Sequence, residues 1–139
     1  MSRQRSKQEI ARVQLEKAIE LYCAGSEDPV CIVTLAGASE DITRRFLERK
    51  GESPSAERIK EWIINRFGDS SVDEQFYRMA NYTRNALKHF SDRDEDMVHV
   101  DMEDARYWLL RALLNYDKAG FLLTKPIIEF MGSLSNGKA

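Results

Sequence analysis

The segment Asn81-Tyr82-Thr83-Arg84-Asn85-Ala86-Leu87-Lys88-His89 gathers an arginine, a lysine, a histidine and two amides at the end of a helical pattern, just ahead of an acidic stretch. An imidazole, with an unperturbed pKa of about 6.5, can both accept and release a proton near neutrality. A guanidinium is a permanent forked cation matched to phosphate oxygens. Together they suit phosphodiester cleavage without a metal. The 2′-hydroxyl of RNA would attack the adjacent phosphate, His89 would assist proton transfer, and Arg84 would stabilise the charge building on the phosphoryl oxygens. Asn85 completes the candidate catalytic set, and Asn81, Tyr82, Lys88 and the more distant Glu40 are candidate binding residues. Tyr82, beside Arg84 and off the apolar stripe, is the aromatic best placed for a ligand or dimer contact.

Helix geometry sets a condition on this chemistry. At about 100° per residue, positions five apart sit about 140° from each other, so Arg84 and His89 cannot share one face of a straight helix, whereas Asn85 and His89, four apart, can. Either the helix ends before His89, or the site is composite, with two copies of the motif meeting across the twofold axis of a dimer. The cations also have a plainer use, because positive charge in the last turn of a helix opposes its dipole whatever the function.

The elements that must carry these residues are helical throughout: no stretch shows the period-two alternation of a half-buried strand, and about five main helices predict an all-α, up-and-down bundle. The first spans about Gln4 to Ala24, with Ala11, Leu15, Ala18 and Tyr22 on its inner stripe and Gly25 closing it. Asp28-Pro29 reads as an N-cap and first-turn proline for the second, which runs to about Lys50. Its first half, Val30 to Ala38, is apolar nearly all round, as expected of a central rod, and Ala36, Gly37 and Ala38 would let a neighbouring helix approach closely. A short third helix covers about Pro54 to Arg66. Ser71 to Glu74 fits a capping box for the fourth, which buries Val72, Phe76, Met79, Ala80, Thr83 and Leu87 and presents Arg78, Asn81, Arg84, Asn85, Lys88 and His89 on its wet faces. Asp101 and Asp104 cap a fifth helix, about Met102 to Ala119, and Pro126 begins a last short one through about Gly132. Trp62, Phe76, Tyr107 and Trp108 could stack on bases, but their helical spacing marks them as core.

The motif as a whole resembles that of the HEPN superfamily of small helical domains, Arg-polar-x-x-x-His, and Arg84, Asn85, Leu87 and His89 match the form Arg-Asn-x-Leu-x-His that it takes in many of those domains. The run Leu35-Ala36-Gly37-Ala38-Ser39-Glu40, leading to Phe46-Leu47 and a glycine stop, is similar to the second helix of those domains. The likeness covers about Gln8 to Gly120. It implies a HEPN-like bundle, a homodimer with a composite site, and a metal-independent endoribonuclease. It implies equally a second expectation, because many HEPN domains are scaffolds: a non-catalytic RNA- or nucleotide-binding or protein-interaction module, paired with a nucleotidyltransferase-like protein in a toxin-antitoxin or defence system. Neither expectation involves a cofactor or a metal.

Composition bounds both readings. The chain has 139 residues, 42% hydrophobic and 32% charged, which predicts one folded domain over residues 1–134 and a flexible tail at 135–139. No apolar run approaches the ~18 residues of a membrane span, and the basic start lacks the apolar core of a secretory signal, so a cytoplasmic protein without membrane partners is expected. A net charge of −2 supplies no global basic field, so any RNA contact rests on local clustering. Cys23 and Cys31 are expected to be free, buried thiols. Asp92 to Glu103 places carboxylates at positions 1, 3, 5 and 12 of an EF-hand-like loop, but Met97 stands where the turn glycine belongs, which predicts a solvated acidic linker. His99 is expected at its surface.

Overall fold

Capping side chains fix the starts of two helices in this bundle. The computed structural model describes residues 3–25, 27–52, 82–88 and 97–135, and these form five helices and no strand. Helix α1, Lys7–Cys23, starts later than its periodicity predicts because the Ser6 hydroxyl accepts from the Glu9 amide at 3.1 Å and fixes the N-cap there. Helix α2, Pro29–Arg49, ends one residue before the predicted Lys50. Helix α3 occupies 82–88. Helix α4, Met102–Lys118, opens with a reciprocal capping box: Asp101 accepts from the amides of Glu103 and Asp104, and Asp104 accepts from the amide of Asp101, each at 3.0 Å. It closes at Gly120, whose φ of 75° disfavours any side chain. Helix α5, Lys125–Ser135, is longer than expected and takes in Ser135, which composition had assigned to the tail. The predicted helix at 54–66, the capping box at Ser71 to Glu74, Trp62 and Phe76 lie outside the described residues.

Helix α2 is the middle rod, lying against both α1 and α4, while α5 covers α1. Ala11, Leu15 and Ala18 of α1, Ile32, Val33 and Ala36 of α2, and Ala105, Leu109, Ala112 and Leu113 of α4 share one core with Phe121, Ile127 and Phe130. Full burial of each large aliphatic side chain contributes about 1.5–3 kcal/mol. Polar clips set the register of the rods. Ser39 Oγ donates to the carbonyl of Ala11 at 2.8 Å, and Thr124 donates to Glu16 at 3.1 Å. Edge-on pairs of Phe121 with Phe46 and Tyr116 close one end of the core. Among the described residues no helix is long and apolar enough to cross a membrane.

Two expectations fail at the ends of α1 and α2. Cys23 and Cys31 are exposed, not buried. Cys23 is the last residue of α1, beyond the Ala11-Leu15-Ala18 stripe, and Cys31 sits in the first turn of α2, beside the inward-facing Ile32 and Val33. Asp28 holds the N-cap position, but its carboxylate makes no capping bond to the helix; it accepts from the Cys31 thiol at 3.6 Å. The charge of Asp28 raises the pKa of Cys31, and partial burial raises that of Cys23, so neither thiol is activated.

The capping box gives the first prediction. Asp101→Ala lowers the unfolding free energy by about 1 kcal/mol in urea titrations near neutral pH. The amide of Asp104, above all, holds the Asp101 pKa below the usual carboxylate value, so its stabilisation is present above about pH 4 and is lost as pH falls through the lowered folded value. The difference between wild type and Asp101→Ala therefore shrinks in acid; a cost that grows in acid would show that the cap is not the source.

Candidate functional site

Two polar stripes face each other across the bundle. On α2, Gly37, Glu40 and Arg44 recur at spacings of three and four; on α4, Tyr107, Arg111 and Asn115 recur every four. Glu40 is 1% exposed, and an ionised carboxylate at that depth needs charge and hydrogen-bond partners. Its Oε1 accepts from Arg111 Nε at 3.1 Å and from Asn115 Nδ2 at 3.3 Å, with Arg44 Nε at 3.5 Å. Arg111 Nη1 also donates to the Tyr107 hydroxyl at 3.2 Å. Burial raises the pKa of that phenol, against the opposing pull of Arg111. At the edge of the cluster, Asp41 pairs with Arg44 and Arg45. Burial would raise the Asp41 pKa, but the arginines prevail and hold it below the usual value.

Arg84 enters this cluster from α3. Its neighbour Thr83 is 6% exposed and Leu87 packs against the core, so the inner face of α3 carries Arg84 in with them. Arg84 Nη2 donates to the carbonyl of Gly37 at 2.7 Å. Its Cζ lies 5.2 Å from the centre of the Trp108 ring, and Arg111 Cζ lies 4.9 Å from the same ring. This corrects the expectation that Arg84 occupies a wet face. It also changes the role of the small residues on α2, because an arginine side chain, not a helix backbone, makes the close approach to Gly37. Burial pulls the Arg84 pKa below its ordinary value, while Glu40 and Asp41 resist. Burial acts the same way on Arg44, but Glu40, Asp41 and Glu48 prevail and raise its pKa. Among the described residues, no carboxylate lies within salt-bridge distance of Arg84.

The other predicted site residues part company here. Glu40 lies in the same region as Arg84 without pairing with it. Tyr82, Asn85 and Lys88 are exposed on α3. Asn81 and His89 lie outside the described residues. Tyr107 and Trp108 are core, each 2% exposed, although the indole also serves as a platform for two guanidiniums. In the acidic stretch, Asp92 to Asp96 lie outside the described residues, His99 is exposed with Nε2 3.1 Å from Asp101, and the Asp101 carboxylate is committed to capping α4. No group of three His, Cys, Asp or Glu side chains among the described residues could hold a metal ion. Sequence reasoning missed Arg44, Arg111 and Asn115. Their signal was present as polar residues at helical spacing along otherwise apolar stripes.

Compared with models of protein families, with curated proteins and with solved structures, the chain matches none.

Two predictions follow from the geometry. Glu40→Ala leaves Arg111, 13% exposed, without its buried carboxylate and destabilises by about 3 kcal/mol or more in denaturant titration. Glu40→Ala at wild-type stability would mean that the network is not formed. Calcium titration by calorimetry gives no heat beyond dilution, because the Asp101 carboxylate already serves the helix and Met97 replaces the turn glycine; a micromolar dissociation constant would move the functional site to the acidic stretch.

Proposed function

We propose that this chain is a HEPN-type domain acting as a metal-independent endoribonuclease, with Arg84 and His89 at a composite site between two copies of the chain. The observation that carries this reading is the state of Arg84. A carbonyl and an indole fix the guanidinium, and no described carboxylate pairs with it, so its charge remains available to a phosphate. A charge stabiliser held in place before substrate arrives needs little reorganisation during reaction. The spacing of the motif supplies the dimer. With Arg84 on the inner side of α3, a His89 five positions on reaches the same phosphate most simply from a second copy. Asn85, Tyr82 and Lys88, exposed on α3, are then the groups available to RNA or to the second copy.

Burial of Arg84 also favours a second reading. An arginine that pins α3 to α2 can be architectural, and the chain would then be a non-catalytic RNA- or nucleotide-binding or protein-interaction module, with a nucleotidyltransferase-like protein as its partner in a toxin-antitoxin or defence system. Activity separates the two. RNA cleavage is expected to persist in EDTA and to fall ~100-fold or more in Arg84→Ala and in His89→Ala, with His99→Ala little changed. Circular dichroism of each variant confirms the fold. Cleavage that survives His89→Ala, or that vanishes in EDTA and returns with magnesium, would sink the nuclease reading. Light scattering at micromolar concentration is expected to show a dimer, and a strict monomer would remove the composite site.

A further inference from the structure

Glycine inside a helix lowers its stability relative to alanine, so a buried helical glycine with ordinary φ needs a tertiary reason. Gly37 is such a residue: it lies within α2, is buried, and is not among the positive-φ glycines. A Cβ placed on it would lie 2.8 Å from Arg84 Cδ and closer still to Arg84 Nε. Its own carbonyl is the group that accepts from Arg84 Nη2 at 2.7 Å. One residue thus provides both the gap that the side chain crosses and the acceptor that holds its end. Trp108 bounds the gap from α4, with Arg84 Cζ 5.2 Å from the ring centre.

We infer that Gly37 is a positioning residue: the absence of a side chain there seats Arg84 across α2 and fixes where its guanidinium meets a phosphate. The functional half of this inference rests on the nuclease reading; the seat itself does not. A methyl group at 37 meets the far end of a flexible side chain, so the arginine yields and α2 stays intact. Gly37→Ala therefore relocates Arg84 and does not unfold the bundle. Residue 84 then still carries its charge, but from a mobile side chain, and the advantage of a preset charge is lost.

The test uses the full chain in four forms: wild type, Gly37→Ala, Arg84→Ala and the double variant. The first readout is the arginine Nε–Hε region of a nitrogen-proton correlation spectrum. The Arg84 signal, identified by its loss in Arg84→Ala, is expected apart from the exposed arginines in the wild type and among them in Gly37→Ala. The second is thermal unfolding. Gly37→Ala is expected to raise the midpoint by about 3 °C more in the Arg84→Ala background than in the wild type, because alanine improves the helix once nothing crosses it. The third is RNA cleavage, expected to fall in Gly37→Ala to within about threefold of Arg84→Ala, with the double variant no worse than Arg84→Ala. An Arg84 signal unmoved by Gly37→Ala, or equal midpoint changes in both backgrounds, overturns the seat. Full cleavage by Gly37→Ala when Arg84→Ala is dead overturns the positioning role. Cleavage indifferent to both variants overturns the nuclease reading alone, and the spectrum and the midpoints still decide the seat.

Discussion

The carboxylate of Glu40 is the constraint around which the bundle is arranged. At 1% exposure it cannot stand without cations, and the groups that answer it come from its own helix, through Arg44, and from α4, through Arg111 and Asn115. The pairing of α2 with α4 is therefore directional as well as apolar. Ala36, Leu109 and their neighbours would tolerate a slide of one helix along the other, whereas an acceptor held at 3.1 Å by Arg111 would not.

Arg84 belongs to the same region without belonging to that ion pair. Burial works against its charge, Glu40 and Asp41 favour it, and Arg44 and Arg111 oppose it. Its place is fixed instead by a backbone carbonyl and an indole, which hold a cation without neutralising it.

The helices were legible because their signals are local. Asp101, Asp104 and Gly120 act on backbone groups a few residues away, and the stripes Ala11-Leu15-Ala18 and Ala105-Leu109-Ala112 each follow one helical period. The direction of Arg84 was not legible in the same way. It lies about 60° from Leu87 around the helix, at the margin of the apolar arc, and whether a margin residue turns in or out depends on what faces it. Here the facing group is Gly37, far away in sequence. The exposure of Cys23 and Cys31 escaped for a related reason: both lie in the end turns of their helices, off the faces that bury Ala18, Ile32 and Val33. Glu40 stood out in the sequence as a candidate binding residue, but its partners on α4 could be paired with it only once the two helices were in contact.

The hydrogen bonds to Glu40 from Arg111 and Asn115 span 71 and 75 residues of chain, and the bond from Arg84 to Gly37 spans 47. The clip between Ser39 and Ala11 spans only 28. Closing a longer loop costs more chain entropy, so the α1–α2 hairpin has the head start in assembly. While only that hairpin exists, the face of α2 that bears Glu40 must stay hydrated, because its compensating cation on α4 has not arrived. The order in which water leaves is thereby written into the interior: the Ser39 side of α2 dries early, and the Glu40 side dries last.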